Sequence, residues 1–416
     1  MKLQTAKGVQ DFSPEEKIVR NEIVDILKET FERYGYLPLE TPILERYETL
    51  AAKYAAGAGS DVMREIFKLK DQGKRKLGLR YDLTVPLARF VGTNPQLRMP
   101  FKRYEIGRVF RDGPIKLGRR REFWQCDVDT IGSKSMMVEA ELLALADEVF
   151  KKIGLRVVIK VNNRKLLNGI LEESGVKSKE KAIVSIDKLD KMPEDQVGRE
   201  LKNKGLMPQE IKKLMELIKI NNLGKLKNLI KNKEGQEGIK ELEELAGYLR
   251  KLGVKVEFDA SLARGLAYYT ATVFEVFMCK GKFTGSLAAG GRWDKMIGRF
   301  LGRGEHPAVG LAFGLEPITE VLKKEGKKTL VEVFVIPIKV DALDIVKQLR
   351  DDGLKTDMDL IGRGVGKNLE YASALGIPYV VFVGEQEKKA GKVKLRNMET
   401  GDEVMLKVSE VVKKVK

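Results

Sequence analysis

Phe101 to Thr130, FKRYEIGRVFRDGPIKLGRRREFWQCDVDT, concentrates the side chains most able to do chemistry. Two strand-like runs flank a loop in which Arg108, Arg111, Lys116, Arg119, Arg120 and Arg121 crowd together. Cations at that density repel one another unless an anion sits among them, and guanidinium forks match phosphate oxygens in pairs. The competing reading is a solvated basic hairpin. In the second run Gln125 and Asp129 stand four apart, so on a strand both point to one face, where an amide and a carboxylate can read an amine or a ring N–H.

Composition narrows the chemistry further. The chain has 416 residues, 43% hydrophobic and 33% charged, enough for a large interior and for two or three domains. Lys and Arg (77) exceed Asp and Glu (60), a formal net charge of +17 that favours a polyanionic partner such as nucleic acid; a lysine-rich proteome or hot habitat is the bland alternative. Two cysteines, Cys126 and Cys279, supply neither a disulfide framework nor a CxxC site, and a single histidine, His306, excludes a multi-histidine metal centre. No apolar run is long enough for a signal peptide or a membrane span, so the expectation is a cytoplasmic protein.

The elements that must position these groups are partly legible. Ser13, Pro14 and Glu16 form a helix start, apolar residues follow at helical spacing, and Gly35 ends the run. Between Leu77 and Asp129 short aromatic and β-branched runs broken by Gly and Pro predict strands of an antiparallel sheet. Met137 to Ile153 reads as a helix closed by Gly154, and Leu155 to Val161 as a strand. From Leu166 to Leu252 the texture turns to lysine- and glutamate-rich helical periodicity, an inserted helical module. Strand-like runs return at Phe274 to Met278 and Gly285 to Ala289, and Ala308 to Leu322 reads as a buried helix or a strand-to-helix passage. Lys323 to Lys328 is a linker candidate. Beyond it, strands at Val331 to Ile338, Leu354 to Ile361 and Pro378 to Val383 alternate with helices, predicting a small parallel α/β domain. The expected organisation is a domain of residues 1–325 containing an insertion at 166–252, then a domain of residues 329–416.

The segment GRVFRDGPIKLGRRREFWQCDVD resembles motif 2 of the class II aminoacyl-tRNA synthetases, and its wording is very similar to the histidyl enzymes. KGVQDF at the start, LRYDLTVPLARF around Asp82, LARGLAYYTATVFE around Arg264 and AAGGRWDKMIG around Arg292 agree, and the end of the chain, with LGIPYVVFVGEQEKKAGKVKLRN, resembles the family's anticodon-binding domain. The resemblance implies an antiparallel catalytic sheet flanked by helices, a helical insertion and a C-terminal α/β domain. It implies activation of L-histidine with ATP and Mg2+, then transfer to tRNA(His), by a homodimer whose interface includes the stretch around Pro42. Arg111 and Arg264 would stabilise charge at the α-phosphate, and the substrate carboxylate, already ionised, needs no protein base. By the same resemblance the Asp82, Leu83 and Thr84 stretch with Gln125 holds the α-ammonium, Asp129 with Tyr268 and Tyr269 addresses the imidazole, Phe123 and Arg121 join Arg111 and Arg264 around ATP, and Arg119 and Arg120 approach the tRNA acceptor end. Taken alone, Tyr268 and Tyr269 would read as core.

Several positions depart from the family pattern. Gly113 replaces a usual glutamate, Arg120 a usual tyrosine, Ala267 a frequent aspartate and Ala289 a frequent glycine, while Pro317 stands where an arginine usually meets the nucleotide. A nucleotide site arranged differently is the expectation. The rival reading is a non-catalytic paralogue serving as a regulatory subunit or as a histidine- or RNA-binding module. GRGVGK, from Gly362 to Lys367, fails the Walker spacing and reads as a loop, and His306 reads as a loop residue.

Overall fold

A computed structural model describes residues 3–52, 61–115, 118–190, 192–264, 268–322 and 327–416. Lys116, Ala267 and most of the linker candidate lie outside the described residues. The chain divides into two compact units, one of residues 1–10 and 23–323, the other of residues 11–22 and 324–416.

The first unit is organised by one long hairpin. Strands Phe101–Phe110 and Glu122–Ile131 pair antiparallel through ten positions, with Phe101 opposite Ile131 and Phe110 opposite Glu122. Ala308–Gly314, Ala288–Arg292, Thr272–Met278 and Val157–Asn163 extend the sheet beyond the second of these strands, each antiparallel to its neighbour. The outermost pairings depart from the expected antiparallel pattern: Leu37–Pro38 runs parallel to one edge and Glu257–Phe258 parallel to the other. Such two-residue edges leave no periodicity for a sequence reading to detect.

The two faces of this sheet differ chemically. Cys126, Val128 and Phe313 are fully buried. Phe313 packs on Phe31 and on Phe150, with ring centroids 5.7 Å apart in both cases. Phe150 belongs to helix Met137–Ile153, which also buries Leu142, Leu143, Leu145, Ala146 and Val149 completely and ends on Gly154 in the left-handed region. Each of the leucine, valine and phenylalanine side chains contributes about 1.5–3 kcal/mol on burial, so this helix anchors the sheet. Residues 125, 127 and 129 alternate to the opposite face.

Between Leu79 and Phe101, where the sequence predicts only strands, lies helix Thr84–Thr93. The Asp82 carboxylate accepts from Val85 N (3.0 Å) and satisfies one of the helix's unpaired donors, and Pro86, in the first turn, lacks an N–H that would have had no partner. Among the described residues six helices run from Arg164–Glu173 to Lys233–Leu252, around a core that includes Leu166, Leu167, Ile170, Leu214 and Ile239. At the chain start the Ser13 and Glu16 capping box forms in both directions, at 2.8 and 3.2 Å.

In the second unit, Thr356–Met358, Val333–Pro337 and Tyr379–Val383 make the expected parallel sheet. An antiparallel hairpin, Lys392–Asn397 with Glu403–Lys407, and a final helix Val408–Val415 complete it. The sequence reading missed this hairpin, although Lys392, Val393, Lys394 and Leu395 alternate polar with apolar as a half-buried strand does.

Candidate active site

On the open face of the large sheet, Asp82, Thr84, Arg111, Gln125, Asp129, Arg264, Tyr268 and Tyr269 all line one cavity of about 130 Å³. Four stretches distant in sequence therefore meet where the resemblance puts a substrate. The long hairpin brings Gln125 and Asp129, the segment leading into helix Thr84–Thr93 brings Asp82 and Thr84, and the loop before strand Thr272–Met278 brings Arg264 and the tyrosine pair. Gly310, directly across the sheet from Asp129, leaves the space: a Cβ there would fall 1.8 Å from Asp129 Oδ1.

The floor of the cavity is acidic and buried. Asp82, Asp127 and Asp129 are all buried, beside buried Glu105. Glu105 pairs with Arg80 at 2.7 Å, and Arg103, fully buried and opposite Asp129 in the hairpin, lies 2.8 Å from Asp129 Oδ2. Burial pushes the Asp129 carboxyl up to about 6 despite the Arg103 charge, with Glu105 and Asp82 adding to the rise. Burial likewise raises Asp127 well above the usual carboxylate range, again against Arg103. Two acceptors on the strand, Gln125 Oε1 and Asp127 Oδ1, have no hydrogen-bond donor among the described residues, and neither does the donor Arg264 Nε have an acceptor there. Buried polar atoms left in this state cost about 1–3 kcal/mol each, so the cavity is built for a ligand carrying both N–H donors and anionic oxygens.

The guanidinium groups are held by neighbours rather than by the ligand alone. Arg111 Nε donates to the Tyr81 carbonyl (3.0 Å) and its guanidinium lies 5.0 Å from the Phe123 ring centroid. Arg264 Nη1 bonds Glu275 Oε1 (2.8 Å) while its guanidinium covers the Tyr269 ring at 5.5 Å. The Tyr268 and Tyr269 rings stand 4.4 Å apart, with hydroxyls 3.3 Å from each other. Cations packed against aromatic faces gain about 0.5–2 kcal/mol and lose rotamer freedom before substrate arrives.

Other residues singled out from sequence are not part of the cavity wall. Leu83 is completely buried, and its backbone carbonyl accepts from Arg103 (3.2 Å), so the side chain belongs to the core. Phe123 reaches the site through Arg111, and Arg121 pairs with Asp112 (3.0 Å) and with the Gly113 carbonyl (3.3 Å). The exposed Arg119 bonds both carboxylate oxygens of Glu65, at 3.0 and 3.1 Å, and Arg120 is half-buried in the same loop. Glu65 also explains the space at Gly113, since a Cβ at 113 would lie 2.6 Å from Glu65 Oε1. Pro317 falls in the first turn of helix Leu315–Leu322, where a missing N–H is harmless, and the preceding Glu316 accepts from Trp124 N (2.9 Å). His306 donates its backbone N–H to the Asp294 carbonyl (2.9 Å), away from the cavity. Sequence reasoning overlooked Asp127, although it stands between Gln125 and Asp129 at the same two-residue period, and Trp293, which donates to the Asp129 carboxyl.

A sheet with this antiparallel core, carrying an arginine and an amide and carboxylate series on paired strands joined by a basic loop, defines a class II aminoacyl-tRNA synthetase fold. The histidyl-tRNA synthetase family model matches residues 8–318, and an anticodon-binding-domain model matches residues 332–416. Histidine--tRNA ligase 1 of Bacillus cereus is 43% identical over 424 residues, covering 99% of each chain, and histidine--tRNA ligase 2 of Shouchella clausii is 42% identical over 96% of this chain and 97% of its own. A crystal structure of histidyl-tRNA synthetase from Nostoc sp. PCC 7120 superposes with a TM-score of 0.87 at 29% identity, covering 100% of this chain and 99% of the other. The chain belongs to the histidyl-tRNA synthetase family. Among the described residues no helix is long and apolar enough to cross a membrane.

Proposed function

We propose that the chain is a histidine–tRNA ligase: it activates L-histidine with ATP to histidyl-adenylate and pyrophosphate, then esterifies tRNA(His). The observation that carries the reading is what meets in one buried cavity: an acceptor at Gln125 Oε1 and a donor at Arg264 Nε, neither with a partner among the described residues, beside the Asp129 carboxyl. Histidine beside a phosphate supplies the complement, an ammonium and a ring N–H for the acceptors and anionic oxygens for the guanidinium. In this reading Asp82, Thr84 and Gln125 take the ammonium, while Asp129 and the tyrosine pair take the imidazole. A site whose buried polar groups need specific partners rejects an analogue lacking them by roughly 10⁴-fold or more.

Arg111 and Arg264 then face the charge that grows as the carboxylate attacks the α-phosphate and pyrophosphate leaves. Held in place by Tyr81 O and by Glu275, they need little reorganisation as the charge develops. Phe123 and Arg121 support the nucleotide side, and Arg119 and Arg120 offer charge to the tRNA acceptor end. The described residues contain no cluster of three metal-ligating side chains. In this reading Mg2+ enters on the triphosphate, since this ion is usually held by one or two carboxylates plus substrate phosphates. The first domain is the catalytic one, its insertion lies at 166–252, and the C-terminal domain contacts the anticodon of tRNA. The working form is a cytoplasmic homodimer.

The test is histidine-dependent exchange of labelled pyrophosphate into ATP, run against each standard amino acid, followed by charging of tRNA(His). Exchange with histidine alone is expected. Binding of histidine without exchange would instead identify a non-catalytic paralogue.

A further inference from the structure

Asp127 has no role in the account above, yet it is buried to 3% exposure and lines the same cavity. Its neighbours across the sheet offer no donor side chain: Glu105 stands opposite on one strand and Ala312 on the other. Its Oδ1 has no hydrogen-bond donor among the described residues. Around it stand the carboxyls of Asp82, Glu105 and Asp129, and the buried cation that acts on it, Arg103, is already paired with Asp129. A carboxylate kept for stability would be paired, because burying one unpaired costs more than any packing it offers.

Its place along the strand indicates what it meets. Gln125, Asp127 and Asp129 project to one face at steps of about 6.6 Å, so Asp127 lies midway between the amide and the carboxyl assigned to the two ends of the substrate. In an α-amino acid the ammonium is attached to the carbon that joins the reacting carboxylate to the side chain. A group midway along the row stands beside that carbon.

We propose that Asp127 is a substrate-binding residue whose Oδ1 accepts from the α-ammonium of the bound amino acid, completing with Asp82 and Gln125 a cradle of three acceptors. The proposal rests on the histidine reading of the cavity. It gives an otherwise destabilising carboxylate a reason to be buried: the ammonium supplies the donor that Oδ1 lacks among the described residues. Burial already raises the carboxyl's proton affinity, in keeping with a group awaiting a cation.

The experiment compares the full-length chain with Asp127→Asn, using two probes. Histidinol carries the ammonium and the ring without the carboxylate, and imidazolepropionate carries the ring and the carboxylate without the ammonium. The readout is the thermal shift each probe produces across a titration, which needs no catalysis. Asp127→Asn is expected to weaken histidinol by roughly tenfold or more, to leave imidazolepropionate unchanged, and to raise the melting temperature of the unliganded chain. Unchanged histidinol affinity would overturn the proposal. So would equal weakening of both probes with a lowered melting temperature or failure to fold, which would mark Asp127 as structural. A wild-type chain shifted by histidinol yet inert in pyrophosphate exchange would sink the enzymatic reading alone. One that histidinol does not shift at all would sink both.

Discussion

Arg103 and Asp129 face each other across the long hairpin with Nη2 and Oδ2 2.8 Å apart, and both are almost wholly buried. Even this close cation leaves the Asp129 carboxyl raised to about 6, because burial outweighs it. A carboxyl whose folded-state pKa lies above its unfolded one stabilises the fold when protonated, and that contribution is lost as pH rises from about 4 through about 6. The unliganded protein should therefore lose on the order of 2–3 kcal/mol over that range from this group, and Asp129→Asn should flatten the profile. Histidine, which needs the ionised form, should stabilise the protein more at about pH 8 than at about pH 5, as followed by thermal unfolding with and without ligand. Equal stabilisation at both would contradict Asp129 as a ligand-facing carboxylate.

Gly310 is the position most sensitive to a single added methyl group. With the new Cβ 1.8 Å from Asp129 Oδ1, Gly310→Ala must displace the carboxyl or bend the strand. Overpacking of this kind costs about 1–3 kcal/mol of stability. Moving a substrate-positioning group by about 1 Å costs roughly 100-fold in rate. Exchange kinetics should show that loss in kcat/KM for histidine with the variant still folded by circular dichroism.

Arg264→Lys keeps the charge but removes the fork that reaches Glu275 while leaving Nε for a ligand. Adenylate formation should slow by about 10²–10³-fold in single turnover, with a smaller change in histidine affinity. Arg111→Lys should behave alike. If histidine affinity fell as far as the rate, Arg264 would be a binding group and not one that acts on the developing charge.

Arg119 and Glu65 form a half-exposed pair, worth about 0–1 kcal/mol to the fold, which leaves Arg119 available to a phosphate. Arg119→Ala and Arg120→Ala should each weaken tRNA binding and reduce the slope of log K against log salt by about 1, with little change in melting temperature. Filter binding over a salt series provides the measurement, and an unaltered slope would remove these residues from the tRNA surface.

Arg292 and Glu139 make two 2.7 Å hydrogen bonds where both side chains are almost fully excluded from water. Glu139→Gln would leave a buried guanidinium with only the more distant Asp294 carboxylate, 3.4 Å away, and should cost up to about 3–5 kcal/mol in chemical denaturation. An apolar replacement of both should recover much of it. If the single substitution were neutral, water would have to reach the pair.

Much of the frame and several site residues can be read directly from the sequence. The Ser13–Glu16 capping box, the helix that Gly154 terminates, and the alternation of Gln125 with Asp129 are local features, set by capping chemistry and by the two-residue period of a strand. Resemblance added Arg111, Arg264 and the tyrosine pair. The sequence by itself could not show that Leu83 is core while Asp127 lines the cavity, or that Glu65 occupies the space beside Gly113. Burial, loss of hydrogen-bond partners and close approach at a glycine all depend on which distant strands lie next to one another. Sequence spacing orders side chains along one strand, but only tertiary packing decides what faces them and what has been left for a ligand to satisfy.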